Sequence, residues 1–475
     1  MDKNKDKNTF HSTAFKTSRT LPDIQSLKSI EIRTDPESLA EYGKDWTKHF
    51  AANATAVLLP QTTDEVKTIV DWARQTRTRL VPSGGRTGLS AGAYATQQEV
   101  IVSLQKMSRI LELDVFDQTL RCEAGVVTEQ IQKYARDRGF YYPVDFASRG
   151  SSQIGGNVAT NAGGIKVIRY GLTRQWIAGL KVVTGRGEIL ELNKSLVKNA
   201  TGYDLRQLFI GSEGTLGIVT EVTVSLAKPP KEFVVFVMGL SDLEAVMEIY
   251  ARFKSQFTIF AYEMFTNIAL KYTTAHGAKT PFSTPAKYYV LLELERESDA
   301  YIEQATEMFG FLLEEGLVVD GVISQNPKQA AELWALREDI TEATSHKHPY
   351  KNDISVRVSR VPEFLNEMTA VLVDEHPEFE IVWFGHIGDG NLHVNILKPD
   401  SLSSAEFVER CKHVDEKMFR MIEKFEGSIS AEHGVGLVKK PFLHYSRSAE
   451  EIQLMREIKR VFDPDNILNP GKIFD

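Results

Sequence analysis

The stretch "PSGGRTGLSAGA", residues 82–93, decides which kind of nucleotide-binding fold this chain can form. It follows the apolar segment "TRLV" at 78–81 and precedes a strand-like segment, "EVIVSL", at 99–104. A Rossmann unit needs G-x-G-x-x-G opening a helix, with an acidic residue about 20 positions further on. Since no helical pattern follows here, the stretch predicts a different fold. Its small residues let several backbone N–H groups point at one anionic group, as in a phosphate-binding nest.

Two more glycine-rich stretches follow, "GSSQIGGNVATNAGG" at 150–164 and "GSEGTLGI" at 211–218. Taken singly, each is better explained as a tight turn or a β-bulge. The longer stretch also carries hydroxyl and amide side chains that suit a pyrophosphate or the polar edge of a flavin ring. These side chains are Ser151, Ser152, Asn157, Thr160 and Asn161. Three such stretches in one region favour a large phosphorylated cofactor.

The chain as a whole predicts an α+β protein of two domains. From about 51 to 230, short β-rich segments alternate with the glycine stretches, and helical patterns interrupt them at 62–76 and 128–139. From 231 to about 425, longer helical patterns mix with strands. Paired prolines in "LAKPPKEF" at 226–233 stop a strand and stiffen a linker, so they mark the boundary. The expected divisions are a lead-in at 1–50, domains at 51–230 and 231–425, and a closing segment at 426–475.

Composition excludes several classes of function. The 475 residues exceed the size at which a single core stops growing, which agrees with two domains. The 56 basic and 64 acidic residues, without a dense basic stripe, argue against nucleic acid as a partner. The two cysteines, Cys122 and Cys411, are far apart. They exclude a disulfide framework and a four-cysteine iron–sulfur cluster, and they suit a reducing compartment.

Membrane insertion and secretion are not expected either. The longest apolar runs, such as "FVVFVMGL" at 233–240, are much shorter than the roughly 20 residues that span a bilayer. Residues 1 to about 20 mix Lys and Asp with Ser and Thr, so they predict a solvated tail rather than a secretory signal. A cytoplasmic location is expected. The Ser/Thr content and the downstream arginines keep the mitochondrial matrix open for a eukaryotic chain.

The stretch "FGHIGDGNLHVN", at 384–395, predicts a β-hairpin that carries a histidine on each side of its turn. Strand-forming residues flank a turn at 389–391, so His386 at the end of one strand lies near His393 at the start of the next. Because side chains alternate along a strand, Asn395 shares a face with His393. Three polar groups therefore converge.

A carboxylate could complete a metal site with these histidines. The stretch "SISAEHGVG", at 428–436, places Glu432 beside His433 in another loop of small residues. Two imidazoles and one carboxylate form a three-ligand set that leaves a position open for substrate, as in catalytic zinc sites. A histidine at a strand end is, however, more often a hydrogen-bonded surface or core residue. The residues alone leave both interpretations open.

Six stretches in this order resemble one flavoprotein family: "PSGGRTGLSAGA", "GSSQIGGNVATNAGG", "TGYDLRQLFIGSEGTLGI", "GHIGDGNLHVN", "AEHGVG" and "DPDNILNPGKIF". They are similar to FAD proteins of the vanillyl-alcohol-oxidase and p-cresol-methylhydroxylase (PCMH) type, in the branch of D-2-hydroxyglutarate, D-lactate and glycolate dehydrogenases. The resemblance covers the chain from about 50 to 475. It implies a PCMH-type FAD-binding domain of two subdomains, an α+β substrate (cap) domain, and a C-terminal segment that returns to the flavin.

The resemblance also implies which residues contact FAD, all of them in the glycine stretches or the C-terminal segment. They are Pro82, Gly84, Gly85, Arg86, Thr87, Gly88, Leu89, Ser90, Gly150, Ser151, Ile154, Gly155, Gly156, Asn157, Thr160, Asn161, Gly164, Glu213, Gly217, Ile218 and Asn469.

The chemistry of a 2-hydroxy acid explains the use of a metal beside a flavin. Oxidation removes the Cα hydride, which flavin N5 accepts, and the hydroxyl proton. A divalent ion lowers the pKa of bound water from about 15.7 to about 7, and a similar pull on a hydroxyl is worth up to roughly 10 kcal/mol. The resemblance implies that His386, His393 and Glu432 hold zinc or another divalent ion. It further implies that His433 is the catalytic base, in contact with substrate, and that Asn395 binds a substrate carboxylate.

An acidic protein that handles an acidic substrate also needs local positive charge. In "ELWALREDITEA", Arg337 and Thr341 are four residues apart and are expected on one face of a helix, with Lys351 following. The three match substrate-contacting residues of the hydroxyglutarate branch, although the loop before Lys351 is one residue shorter. Thr341 favours a dicarboxylate over lactate. The alternative is a solvated helix face with an ordinary ion pair.

The distribution of histidines adds an expectation about the flavin. No histidine occurs between residues 50 and 275, where some relatives link FAD covalently. Non-covalent FAD is therefore expected, unless Cys122 substitutes. Electrons must leave to an external acceptor, such as an electron-transfer flavoprotein or a quinone, and a homodimer is one option for the assembly.

Three alternatives stay open at this point. The first is a D-lactate or glycolate dehydrogenase with the same machinery. The second is a non-redox flavoprotein of the same fold, such as an ether-lipid-forming alkyl transferase. The third is a non-catalytic flavin subunit of an electron-transfer complex, in which the histidines hold structural zinc.

Overall fold

The computed structural model describes residues 24–47 and 50–475. The solvated tail expected at residues 1 to about 20 lies outside them. The described residues form three β-sheets with helices packed around them, so the α+β prediction is confirmed. Within this part of the chain, no helix combines the length and the apolarity needed to cross a bilayer.

The first sheet has four strands in the order β1-β2-β4-β3, with β2 and β3 parallel to β4. Its elements are β1 Glu31–Arg33, α1 Pro36–Tyr42, β2 Ala56–Leu59, α2 Thr63–Thr76, β3 Leu80–Ser83 and β4 Val100–Ser103. Helix α2 begins where Thr62 caps it by accepting the Glu65 N–H, and it buries the apolar face predicted from its periodicity. The segment 84–99 between β3 and β4 contains no helix, which confirms that this is not a Rossmann unit.

The second sheet has five antiparallel strands in the order β5-β6-β9-β7-β8. Its elements are β5 Ile110–Asp114, β6 Thr119–Glu123, α3 Thr128–Arg136, α4 Ile154–Thr160, α5 Val167–Tyr170, α6 Thr173–Trp176, β7 Ile177–Thr184, β8 Ile189–Leu192, α7 Arg206–Phe209 and β9 Gly217–Ser225. Residues of the first two sheets share one apolar core, so they form the two subdomains of one unit.

One glycine stretch is not the open loop that its composition predicts. Residues 154–160 of the second stretch form α4. Glycine is a poor helix former, and packing overrides its propensity here. A β-carbon on Gly155 would lie 2.7 Å from the β-carbon of Ala124, so only glycine lets the helix approach this closely. The stretch is therefore a turn that leads into a helix N-terminus.

The third sheet has seven antiparallel strands in the order β13-β10-β12-β11-β15-β16-β14. Its elements are β10 Phe233–Leu240, α8 Leu243–Gln256, β11 Ile259–Thr266, α9 Asn267–His276, β12 Tyr288–Glu295, α10 Asp299–Glu314, β13 Asp320–Ile323, α11 Pro327–Glu338, α12 Ile340–Ala343, β14 Tyr350–Ser355, α13 Val361–Glu375, β15 Glu380–Gly385, β16 Asn391–Leu397 and α14 Ser404–Lys424. Helices α8, α10, α13 and α14 cover one face of the sheet. Helices α9, α11 and α12 cover part of the other face, which also carries His393.

The C-terminal segment returns to the first two sheets, as the resemblance implies. It contains the last helix, α15 Ala449–Phe462. Lys459 on this helix is buried and donates to the carbonyl oxygens of Thr215 and Leu468, both at 2.9 Å. Leu468 joins the apolar core of the two subdomains, and the Asn469 N–H donates to the Leu80 carbonyl oxygen at 2.7 Å. The segment thus closes over the strand that precedes the first glycine stretch.

A buried ion pair joins this two-subdomain unit to the third sheet. Lys166, just before α5, pairs with Glu293 on β12, and both side chains are at least nine-tenths buried. The indole N–H of Trp334 on α11 donates to the other Glu293 oxygen at 2.8 Å. The Lys166 ammonium also lies 4.7 Å from the centre of the Phe233 ring. Both charges are therefore compensated at the junction.

We expect Lys166→Met to lower the thermal unfolding midpoint strongly. The variant leaves the Glu293 carboxylate buried without its counter-ion, which costs about 3–5 kcal/mol. Adding Glu293→Gln to Lys166→Met recovers part of this loss, because the uncompensated charge disappears. Lys67→Met is the control, since it breaks the exposed pair with Asp71 and costs about 1 kcal/mol or less. Strict additivity of the two buried changes contradicts the assignment.

Candidate active site and metal centre

The predicted histidine hairpin is present. Strand β15 ends at Gly385 and β16 begins at Asn391, and Phe384 pairs with His393 across them. Gly390 has φ +85°, the left-handed conformation that the turn requires. His386 therefore lies directly past the end of one strand, with its ring centre 5.5 Å from that of His393.

The loop that carries Glu432 and His433 is held against the same hairpin by Asp353. This residue lies on β14 opposite His393, and it is almost fully buried. One of its carboxylate oxygens accepts the backbone N–H groups of Ala431, Glu432 and His433 at 3.1, 2.9 and 3.2 Å. Sequence analysis missed Asp353. The available signal was an aspartate next to Ile354 in the strand-like segment "DISVRVSR".

The three predicted metal ligands are brought together. His386, His393 and Glu432 each offer one donor atom, and these atoms all lie within 4.8 Å of one another. His386 Nε2 lies 3.5 Å from Glu432 Oε1. Asp353, Glu432 and His433 form a second set within the same limit. Imidazole and carboxylate donors at this spacing suit zinc or a similar divalent ion.

Each histidine of the set has a carboxylate behind it. Glu263 on β11 is buried, and its Oε1 lies 2.8 Å from His386 Nδ1. Asp353 Oδ1 lies 3.6 Å from His393 Nδ1. Metal-bound histidines usually have such a partner, which orients the ring and fixes which nitrogen faces the ion. Glu263 was also missed, although a lone glutamate inside the apolar strand "IFAYEMFT" was the signal for it.

The charges of the site also suit a bound cation. Burial raises the pKa of Glu432 to about 8 and that of Asp389 to about 6. Burial opposes protonation of His386, but Glu263 and Glu432 outweigh it and raise its pKa to about 9. Burial would also raise the pKa of Asp353, yet the nearby His433 and His393 hold it at about 2. Without a metal Glu432 therefore retains a proton at neutral pH, whereas Asp353 stays ionised, and a divalent cation can take the place of that proton.

The predicted substrate residues are only partly brought together. Arg337 is buried and forms an ion pair with Glu263 at 2.9 Å, and its guanidinium lies 4.8 Å from the Phe384 ring centre. Lys351 and Asn395 are direct cross-strand neighbours on β14 and β16. Asn395 is buried, and its Nδ2 has no hydrogen-bond partner among the described residues. Arg337 is thus a buried ion-paired residue and not part of a solvated helix face.

Thr341 corrects one expectation. The helix predicted to carry both Arg337 and Thr341 ends at Glu338, and a separate short helix, α12, starts at Ile340. The prediction of one continuous face is wrong, because Asp339, a poor helix former, separates the two helices. Thr341 is exposed, whereas Arg337 is buried.

The predicted FAD residues lie at the places where the subdomains and the C-terminal segment meet. Pro82 lies in β3, and residues 84–90 belong to the loop between β3 and β4. Gly150 and Ser151 precede α4, Ile154 to Thr160 form α4, Asn161 caps it and Gly164 follows. Glu213 precedes β9, Gly217 and Ile218 begin β9, and Asn469 lies in the C-terminal segment.

These stretches converge into a cradle that fits a large polar ligand. A β-carbon on Gly84 would lie 3.6 Å from the Gly156 Cα, whereas one on Gly156 would meet no neighbouring atom within 4 Å. Asn469 Nδ2 donates to the carbonyl oxygens of Gly92 and Glu213 at 2.9 and 2.7 Å. Buried polar atoms of the cradle have no partner within the described chain, namely Ser83 Oγ, Gln153 Oε1 and Asn469 Oδ1. A bound cofactor with phosphate, hydroxyl and ring-edge groups can satisfy them.

Some of the predicted FAD residues direct their side chains elsewhere. Asn157 is buried and donates to Thr128 Oγ1 at 2.5 Å. The Arg86 guanidinium lies over the Tyr42 ring and pairs with Glu41 at 2.9 Å. The hydroxyl of Thr160 donates within α4. These side chains therefore contact other parts of the protein around the cradle.

Comparison with known proteins agrees with this geometry. Residues 54–193 match the family "FAD binding domain", and residues 229–473 match "FAD linked oxidases, C-terminal domain". The chain is 53% identical over 456 residues to D-2-hydroxyglutarate dehydrogenase of Stutzerimonas stutzeri strain A1501, which covers 95% of this chain and 98% of that protein. It is 51% identical over 457 residues to the D-2-hydroxyglutarate dehydrogenase of Xanthomonas citri pv. viticola, with 96% and 97% coverage.

The chain belongs to the FAD-binding D-2-hydroxy-acid dehydrogenase family. It is an FAD-dependent oxidoreductase. The fold is likewise of the PCMH type: the crystal structure of p-cresol methylhydroxylase with bound substrate matches with a TM-score of 0.71, at 16% identity and over 94% of both chains. The family resemblance drawn from the six sequence motifs is confirmed.

The site geometry predicts that Glu263, which contacts the proposed metal ligand His386, affects metal binding. We expect Glu263→Gln to weaken Zn²⁺ binding about 10–100-fold, because His386 loses the charged acceptor that orients its ring. His386→Ala, which removes a donor atom, weakens binding further. Competition with a chelating dye measures both. His413→Ala, on the exposed face of α14, is the control. Unchanged affinity in Glu263→Gln contradicts the assignment.

Proposed function

We propose that this enzyme oxidises D-2-hydroxyglutarate to the 2-oxo acid, depends on a divalent metal, and passes the electrons to an external acceptor. The observation that carries the proposal is the convergence of the donor atoms of His386, His393 and Glu432 beside His433. The names of the two bacterial relatives, at 53% and 51% identity over nearly the whole chain, support the substrate. The spacing and the chemistry of these donor atoms support the metal and the site residues.

The two bound groups and the protein divide the chemistry. Bound FAD supplies the two-electron acceptor for the Cα hydride, and a bound divalent ion supplies Lewis acidity toward the substrate hydroxyl. His386, His393 and Glu432 would hold the ion, and a set of three protein ligands would leave a coordination position for substrate. Glu263 and Asp353 keep the two imidazoles oriented from behind.

His433 is the group that takes the hydroxyl proton. Its Nδ1 lies 3.6 Å from Asp353 Oδ2, so Nε2 is the nitrogen that is left to face a substrate. Asp353 stays ionised, since its pKa is about 2, and its negative charge stabilises the imidazolium that forms. The same carboxylate accepts the His433 backbone N–H at 3.2 Å, which fixes the base relative to the metal ligands.

Substrate carboxylates are bound by cations and amides on the same sheet face. Arg337 is held by Glu263, and its buried Nε has no hydrogen-bond partner among the described residues. Asn395 Nδ2 likewise has no hydrogen-bond partner among the described residues. Lys351 lies opposite Asn395 on the neighbouring strand. Buried donors without acceptors are costly, and a carboxylate satisfies them. Two carboxylate groups can use this set better than one, which supports a dicarboxylate over lactate.

The flavin is proposed to be bound without a covalent link. Cys122, the only thiol of the FAD-binding part, lies on β6 in the apolar core, and burial raises its pKa to about 12. A buried neutral thiol is a poor nucleophile. We expect acid precipitation to release all FAD into the supernatant, as measured by its absorbance. Flavin that stays with the precipitated chain contradicts this.

Anaerobic mixing of the purified enzyme with D-2-hydroxy acids tests the reaction. We expect D-2-hydroxyglutarate to bleach the flavin band faster than D-malate, D-lactate or glycolate, and a chelator to abolish the fast phase. We expect His433→Ala to lower the rate of the fast phase about 10²–10⁴-fold with FAD still bound, because general base catalysis contributes a factor of about that size. His444→Ala, an exposed histidine eleven residues later in the chain, is the control.

Each other outcome of this experiment identifies an alternative. A clear preference for D-lactate or glycolate identifies one of the sister activities. Absence of bleaching with every acid identifies non-redox chemistry of the alkyl-transferase kind. Lack of turnover by the isolated chain with an artificial dye identifies a non-catalytic subunit. A fast phase that survives chelation contradicts the proposed metal dependence.

A further inference from the structure

A carboxylate of the FAD-binding part grips the loop that carries Glu432 and His433. Glu213 precedes β9, in the third glycine stretch, and it is buried. Its Oε1 accepts the Val435 N–H at 2.7 Å, and its Oε2 accepts the Gly436 N–H at 2.8 Å. Each carboxylate oxygen therefore accepts one of two successive backbone N–H groups of the loop. Among the described residues, no side-chain cation forms an ion pair with Glu213.

The loop fits against Glu213 and the first glycine stretch without spare room. Gly434 and Gly436 have φ +79° and +49°, and a β-carbon on Gly434 would lie 2.9 Å from Glu213 Oε1. A β-carbon on Gly436 would overlap the Ser90 carbonyl group. That same carbonyl oxygen accepts the N–H groups of the next two residues, 437 and 438, at 2.9 and 3.2 Å. The glycines of "AEHGVG" therefore permit a close backbone contact between the two parts of the protein.

The loop is consequently held from two sides by two buried carboxylates. Asp353, from the third sheet, accepts the N–H groups of residues 431–433. Glu213, from the FAD-binding part, accepts those of residues 435 and 436. Burial raises the pKa of Glu213 to about 7, and the Val435 and Gly436 N–H groups oppose this rise because they bind the ionised form more strongly than the neutral one. Glu432 and His433 lie within this doubly held segment, so their distance from the FAD cradle depends on Glu213.

The backbone of Glu213 is itself held in an unusual conformation. Its φ is +51°, which non-glycine residues rarely adopt. The surroundings enforce it, because the Glu213 N–H donates to the Ala159 carbonyl oxygen at 2.8 Å and its carbonyl oxygen accepts from Asn469 at 2.7 Å. Strain of this kind persists where the surrounding structure determines a position that matters for function.

We propose that Glu213 is a positioning residue. It fixes the position of the Glu432–His433 loop relative to the FAD cradle through the backbone N–H groups of Val435 and Gly436. This inference rests on the proposed function for its catalytic consequence, whereas its structural part stands without it. Glu213 was expected from sequence to contact FAD. The geometry assigns its carboxylate to the loop.

Glu213→Gln tests the proposal in the holoenzyme. The variant keeps the size of the side chain, but it places an NH₂ group against one of two backbone N–H donors. We expect hydrogen exchange of the peptide covering residues 430–438 to accelerate at least tenfold while FAD stays bound. We also expect kcat to fall at least tenfold with the KM for D-2-hydroxyglutarate within about twofold, because the residues proposed to bind the substrate carboxylates lie on the third sheet and α11 and not on the loop.

Glu123→Gln is the matched control. Glu123, on β6 of the same FAD-binding part, is equally buried, and its carboxylate accepts the Arg109 backbone N–H at 2.7 Å. We expect this variant to lower the thermal midpoint and to leave exchange at 430–438 unchanged. Glu213→Asp is the second variant, which keeps the charge but shortens the reach, and it gives intermediate exchange. It decides the question if Glu213→Gln does not fold.

The outcomes separate this inference from the proposed function. Unchanged exchange at 430–438 in the Glu213 variants overturns it, and so does loss of FAD with unchanged exchange, which would return Glu213 to the flavin. Accelerated exchange in Glu123→Gln as well overturns it by showing general loosening. If the wild-type enzyme fails to oxidise D-2-hydroxyglutarate and only the Glu213 variants show faster exchange, the proposed function fails while the positioning role stands.

Discussion

The Asp353 carboxylate accepts three successive backbone N–H groups and lies beside the imidazoles of His393 and His433. It is almost fully buried, and no Lys or Arg pairs with it among the ion pairs of the described residues. Its charge is therefore balanced by amides and imidazoles, which must stay in place for the carboxylate to remain ionised. The loop with Glu432 and the hairpin with His393 are held at one place for this reason.

The site around this carboxylate contains more acidic groups than basic groups. Glu263, Asp389 and Glu432 are nearby, against Arg337 and His386. Burial of several like charges is unfavourable, and a structure keeps them only when protons, counter-ions or a metal compensate them. A bound divalent cation would relieve this cost, which supports the proposed metal site.

Sequence analysis reached the local features of this site and missed the distant ones. The hairpin, its turn and the face shared by His393 and Asn395 follow from residue types within twelve positions, because turn and strand preferences are local. Glu263 could not be identified in the same way, since its role depends on β11 lying beside β15. Local predictions also failed at two places, one where packing overrides propensity and one where a poor helix former interrupts a helix. Helix α4 contains two adjacent glycines, and the helix of Arg337 ends before Thr341.

The sequence by itself determined the FAD family, the order of its motifs, the alternation of strands and helices, and the residue types of the metal set. These properties are recorded in neighbouring residues and in their spacing. Only the tertiary structure decided which carboxylates support those residues: Asp353 and Glu263 behind the histidines, and Glu213 on the loop. The physical reason is that a buried carboxylate takes its role from the N–H groups and cations around it. In this fold, the loop N–H groups around Asp353 and Glu213 and the imidazole beside Glu263 come from segments more than seventy residues away along the chain.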